Sequence, residues 1–391
     1  MTNLRIALLI VGLIFVVIVA LISYDKLRLR RIDLRRMQLR KRAQEWHEPT
    51  LVVRHPIEDE PTLPDEDDQA LSVADSEGEP KVDGSRVPGL DEIEHAATMP
   101  LDLDSGLPQQ LREQRADEVV DFVARVQGDT VVPRDTVLGI YKQNEYLLDK
   151  HRRIYGLNED NGLWRDLEQE PESGRYTDIE LAIQLADRDG PVTESELNKF
   201  AQMGLKIADM LVRPIKFSMS FEAALERAGD LDNFCRTYDV LAIINMVSSG
   251  EGRFHGPDID RLAKECGMQL GSMNIYHKLN TQAQGGQYLY SIANMYKPGD
   301  FDPKNLEGFQ TKGLTFFLNI PTTFDPPKVY ADMIRTVKTF CDHFDGVLLD
   351  RDRHVLDDAT LERIGQQVDR IAKEMDKESV VPGEEAALRL F

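Results

Sequence analysis

Four aspartates crowd into one short stretch, Asp350, Asp352, Asp357 and Asp358, and are the densest carboxylates in the ordered part of the sequence. A calcium loop would need a central Gly and a closing Glu at fixed offsets, which this stretch lacks. Arg351 and Arg353 stand between the acids, so the pattern reads as a solvated turn. The histidines, His255, His277, His343 and His354 among them, form no HxxH, HxxxH or Cys-His cluster. A zinc site requires four convergent ligands, so His277, in an alternating apolar stretch, reads as a structural histidine. Gly250-Glu251-Gly252 is too short for a phosphate loop and has no following Lys-Ser/Thr. No Ser/His/Asp or Cys/His arrangement can be assembled. The expectation is a protein with no catalytic residues, no metal and no cofactor, and not an enzyme.

Composition narrows the field further. Formal net charge is −21 over 391 residues, whereas nucleic-acid binding needs a basic face. Cys235, Cys266 and Cys341 are odd in number and far apart, with no CxxC spacing. They suit a reducing compartment and core positions better than bridges or ligands.

The elements that would carry a function follow in chain order. Ile6–Ile22 is an uninterrupted apolar run. At about 1.5 Å per residue it just crosses a hydrocarbon core of roughly 30 Å. Arg5 alone precedes it as a basic residue, and Tyr24-Asp25-Lys26-Leu27 offers no small-residue cleavage site. Residues 1–24 are therefore expected to be an uncleaved transmembrane anchor. Residues 25–46 hold Lys26, Arg28, Arg30, Arg31, Arg35, Arg36, Arg40, Lys41 and Arg42. This collar places the N-terminus outside and the remainder in the cytoplasm. It serves topology alone or also lies as a helix against anionic lipid headgroups. Residues 47–132 are rich in Pro, Gly, Asp and Glu, with few aromatics. They read as an acidic disordered linker, with Leu111–Val126 as a short amphipathic helix inside it.

Beyond Pro133 the pattern becomes globular. Arg153–Glu168 reads as a hairpin turning at Asn158–Gly162. Three segments then repeat one plan of strand, Gly/Pro loop, helix and further strand. They begin ELAIQLADRDGP, VLAIINMVSSGEGRFHGP and GLTFFLNIPTTFDPP. Thr193 with Glu196 makes a capping box, and Asp258 a cap for the second helix. A last helix is expected over Ala359–Met375, then a polar tail. The fold class is α+β, a split-βαβ antiparallel sheet with helices on one face. An additional β-α-β lobe occupies 133–235, the main domain 236–376 and the tail 377–391.

Gly271–Pro303 holds the most unusual pattern. Met273, Ile275 and His277 alternate with Asn274 and Tyr276, and Tyr288, Tyr290, Ile292 and Asn294 alternate with Leu289, Ser291, Ala293 and Met295. One face would pack on helices. The other carries Met and Ala where water favours Lys, Glu and Thr, and an apolar face left bare would be a docking surface.

Several of these stretches resemble the C-terminal domain of the bacterial cell-division protein ZipA family: MNIYH, LYSIANMYKPGDFDP, GLTFFLNIP and GVLLDRDR. The resemblance implies an N-out inner-membrane protein whose cytoplasmic split-βαβ domain binds the C-terminal tail of FtsZ and tethers the division ring. By motif position it implies a groove of Leu241, Ile243, Met273, Ile275, Ala293, Met295 and Phe317, with Lys297 and Arg353 at the rim. The acidic linker and the additional lobe depart from the family's plan. Two other readings stand beside it: a membrane-linked sensor of a small ligand, and an RRM-like nucleic-acid binder. The latter would need stacking aromatics on a basic sheet face.

The collar predicts a cytoplasmic globular region. A periplasmic reporter enzyme fused after Phe391 should be inactive, and an active one would reverse the orientation.

Overall fold

The computed structural model describes residues 51–53, 113–282 and 285–391. The apolar run, the basic collar and most of the acidic linker lie outside the described residues. Among the described residues no helix is long and apolar enough to cross a membrane.

A short strand β1 (Leu51–Val53) precedes an N-lobe. That lobe contains β2 (Asp121–Val126), β3 (Val132–Pro133), α1 (Arg134–Asn144), β4 (Arg152–Asn158), β5 (Trp164–Asp166) and β6 (Arg175–Gln184). It continues through β7 (Ala186–Asp187), β8 (Gly190–Pro191), α2 (Glu194–Leu211), β9 (Ile215–Phe217) and α3 (Phe221–Tyr238). Its sheet runs in the order β5-β4-β6-β2-β9 and is antiparallel throughout.

The C-lobe contains β10 (Val240–Ser248), β11 (Phe254–His255), α4 (Gly256–Glu265), β12 (Met268–Leu270), β13 (Tyr276–Leu279) and β14 (Tyr288–Asn294). It continues with β15 (Gln310–Thr311), β16 (Gly313–Asn319), α5 (Pro326–Phe344), β17 (Gly346–Leu349), α6 (Asp358–Lys377) and α7 (Glu385–Leu390). Its sheet runs β1-β10-β16-β14-β13-β12, and β17 pairs with β10. The α+β class with antiparallel sheets and helices is as expected.

Local chemistry sets the element ends. Thr193 and Glu196 exchange hydrogen bonds as a capping box at α2, and Asp357 accepts from the Thr360 amide to cap α6. Leu361, Ile364, Val368, Ile371 and Met375 repeat at helical spacing along α6 and are all buried. The hairpin with its turn at Asn158–Gly162 forms as β4 and β5.

Four expectations need correction. The helix expected over Leu111–Val126 does not form among its described residues, 113–126: Asp121–Val126 is β2, and it falls inside the span read as linker. Its run DFVARV is buried on both faces because it is a central strand, so its apolar residues do not mark one helical side. Asp258 is not a cap, because α4 starts earlier, with His255 at the cap position and Pro257 in the first turn. The alternating stretch Met273–His277 is not one strand: Ser272–Asn274 is a 3-10 turn in which Met273 takes a φ of 56°. The segment after α6 is not merely a polar tail, since it ends in α7, with Ala387 and Leu390 fully buried.

The repeat is also two-fold at the level of lobes. Each lobe has the order fourth strand, first, third, second, namely β9-β2-β6-β4 and β17-β10-β16-β14. The interval from Val126 to Val132 equals that from Ser248 to Phe254, and Val126 to Arg134 equals Ser248 to Gly256. Pairings coincide as well. Asp121 opposite Gln184 corresponds to Ile243 opposite Phe317, and Arg153 opposite Ala182 to Ala293 opposite Thr315. The three segments seen in the sequence are thus three of four half-units of a duplicated fold; the missed one begins at β2.

Truncation of Ile371 to Ala, fully buried in α6, should cost about 2–5 kcal/mol in denaturant unfolding.

Candidate functional site

The C-lobe sheet has two faces of different character. On one, Tyr276 donates to Asp260 of α4 at 3.1 Å and Tyr290 to Asp332 of α5 at 3.0 Å. Phe316 meets Phe340 of α5 edge-on at 5.5 Å. These contacts place α4 and α5 on the Tyr276–Tyr290–Phe316 side.

Strand alternation sends the neighbouring residues to the opposite face. There Leu241, Ile243, Ile275, Ala293 and Phe317 form one apolar cluster. Four separate segments supply it: β10, the residue before β13, β14 and β16. Ile243 and Ser291 both lie opposite Phe317 in the ladder, which centres the ring on the sheet.

A polar ladder adjoins the cluster. Ser291 Oγ lies 2.8 Å from His277 Nδ1, and His277 Nε2 lies 3.0 Å from the Ser272 carbonyl. A carbonyl can only accept, so Nε2 carries the proton and Nδ1 accepts from the serine. His277 also stacks on Tyr288 with centroids 3.9 Å apart. Thr315 donates to Asn245 Oδ1 at 2.8 Å, and Asn245 Nδ2 to the Asp350 carbonyl at 3.3 Å. The sequence-based reading left this ladder out, although Ser291 and His277 have the same parity as Ala293 and Ile275.

The other residues expected to form the groove are not members of this cluster. Met273 sits on the 3-10 turn and is 38% exposed. Met295 is buried over Gly313, where an added Cβ would stand 2.7 Å from its Sδ. Lys297 and Arg353 are exposed. Arg353, at a φ of 68°, lies in a turn closed by Asp350, which accepts from the His354 amide at 2.8 Å. The crowded aspartates thus have structural tasks: Asp350 closes this turn and Asp357 caps α6. Phe301 explains the specificity of ANMYKPGDFDP. Its buried ring meets Tyr276 at 5.1 Å and Phe309 at 5.3 Å, and its amide donates to the Asn274 carbonyl.

The expectation of a bare apolar face is corrected. The clustered residues are at most 4% exposed. Apolar surface contributes about 25 cal/mol per Å² when removed from water, which favours covering a face of this composition. Charged substitutions in the cluster therefore act on folding.

Residues 240–367 match the family model of the ZipA C-terminal FtsZ-binding domain. The resemblance to the ZipA family holds over this lobe. The cell division protein ZipA of Pseudomonas aeruginosa (strain LESB58) is 32% identical over 130 residues, 33% of this chain and 45% of that protein. The ZipA of Pseudomonas syringae pv. syringae (strain B728a) is 32% identical over 126 residues, 32% of this chain and 44% of that protein. That of Pseudomonas entomophila (strain L48) is 33% identical over 126 residues, with 43% of its length covered. The chain spans less than half the length of these curated relatives, and the N-lobe lies outside the match.

Burial lowers the His277 pKa, an effect opposed by the Ser272 carbonyl bond. The unfolded chain then takes up a proton at about pH 6.5 while the folded one does not, so this stability is present above that pH and lost as pH falls through the lower folded value. His151 in the N-lobe shifts in the same direction, also through burial, so the comparison needs a variant. Melting temperature should fall less steeply below about pH 6.5 in His277→Gln than in the parent.

Proposed function

We propose that this chain is a non-enzymatic cell-division protein whose ZipA-like lobe binds the C-terminal tail of FtsZ and ties the division ring to the inner membrane. The observation that carries this reading is the convergence of Leu241, Ile243, Ile275, Ala293 and Phe317 on one sheet face, within a region matching an FtsZ-binding domain. Such a face suits an apolar segment of a partner, and the adjoining His277–Ser291 and Asn245–Thr315 bonds satisfy their own polar groups without it. Met273 extends the apolar surface outward, and Met295 completes it at the β14 exit. Lys297 and Arg353 supply positive charge at the rim for acidic side chains of the tail.

Membrane attachment rests on the sequence. The Ile6–Ile22 run is the anchor and the Lys26–Arg42 collar fixes its orientation. Strand β1 pairs with β10 of the C-lobe sheet, so the short stretch between the collar and Leu51 sets the reach between the bilayer and the lobe.

The test uses exposed residues, so that loss of folding does not pass for loss of binding. Met273→Glu together with Lys297→Glu should weaken binding of a labelled FtsZ tail peptide at least tenfold, or about 1.4 kcal/mol, while the melting temperature stays within about 2 °C of the parent, as expected for surface substitutions. Fluorescence anisotropy and a melting curve read both. Unchanged affinity would remove the tail from this face.

A further inference from the structure

The duplicated fold gives the N-lobe a sheet face equivalent to the one just described. Register assigns Asp121 to the position of Ile243, Gln184 to that of Phe317 and Arg153 to that of Ala293. Three apolar positions of the C-lobe cluster are thus an acid, an amide and a base in the N-lobe. All three contact the last helix of the sequence.

Arg389 of α7 donates from Nη1 to Asp121 Oδ2 at 2.9 Å and from Nη2 to Asp121 Oδ1. The two side chains are 9% and 1% exposed, so this is a buried, bidentate pair. Gln184 grips the same residue twice. Its Oε1 accepts from Arg389 Nη2 at 3.4 Å, and its Nε2 donates to the Arg389 carbonyl at 2.8 Å. Arg153 pairs with Glu385 one turn earlier, at 3.4 Å. Ala387 and Leu390 are fully buried, and the Phe391 ring meets Phe234 of α3 at 5.9 Å. The segment reaches this face from the C-lobe, where the Gly383 amide donates to the Pro321 carbonyl.

We propose that the N-lobe sheet face is a second peptide-docking site, selective for a short helix with a buried arginine, and that residues 385–391 of the same chain occupy it as a displaceable ligand. The positions are those of the C-lobe cluster, but the chemistry is inverted. An arginine placed against Ile243 and Phe317 would be buried without a partner, whereas Asp121 and Gln184 pair both terminal nitrogens of Arg389. The proposal rests on the fold and these contacts, and stands apart from the FtsZ reading.

The test is run on the full chain with a labelled peptide of residues 380–391 in its natural sequence. Arg389→Asp sets two acids against each other, so the chain's own helix should leave. Amides of residues 385–391 should then exchange with solvent at least tenfold faster, and the variant should bind the peptide at least tenfold more tightly than the parent, whose site is filled. Adding Asp121→Arg to Arg389→Asp should restore slow exchange and abolish capture of the natural peptide. A folded Arg389→Asp chain that captures no peptide would show that the helix is a fixed brace and overturn the proposal. Should Arg389→Asp fail to fold, Glu385→Arg decides. It opposes Arg153 at the exposed end of the helix, where the Glu385 side chain is 68% exposed, and must still speed exchange and raise peptide capture several-fold. Failure to do so counts against the site.

Discussion

A sheet of split-βαβ topology receives both crossover helices on one side, so its other face is left to be covered by something else. Everything distinctive about this protein follows from how that second face is treated. In the N-lobe it is occupied by the chain itself. Residues 113–117 run along one half, where Ala116 packs on Tyr155, Trp164 and Ala182 and Arg115 lies 5.0 Å above the Trp164 ring. Arg115 and Arg125 both donate to Glu180, whose side chain is fully buried. Two cations on one carboxylate are what make that burial tolerable, since removing either leaves charge uncompensated in a low-dielectric setting. Helix α7 takes the other half through Arg389.

In the C-lobe the corresponding face carries an apolar cluster in place of charge. Its polar members are confined to the ladder of His277, Ser291, Asn245 and Thr315, each bonded within the sheet or to its immediate surroundings. An unmade hydrogen bond on a buried group costs about 1–3 kcal/mol. The self-contained ladder therefore leaves the cluster to act through shape and apolar area alone.

The two faces thus share a backbone and differ in what they reject. Asp121 and Gln184 penalise a segment with no donor to offer, and Ile243 and Phe317 penalise one that brings an unpaired charge. Different residues at three register-equivalent positions are enough to give the two faces opposite chemistry. No change in strand order is needed.

Much of the C-lobe was legible in the sequence. Period-two alternation through Tyr288–Met295 divided the two faces correctly, because a residue's side of a strand depends only on its parity. Helices α2 and α6 were announced by Thr193 with Glu196 and by apolar residues at helical intervals, both local signals. The ZipA resemblance rested on ANMYKPGDFDP, a run whose meaning became physical once Phe301 was seen between Tyr276 and Phe309. What sequence could not decide was which faces would be covered. DFVARV looked like a helix in a linker because a central strand, buried on both sides, has no alternation to display. Arg389 fell within a stretch read as a polar tail because its partner Asp121 is 268 residues away. Local propensity and parity are written within a few neighbours of each residue. Burial and charge pairing across the two lobes exist only after the chain has folded, and those decided how each face is used.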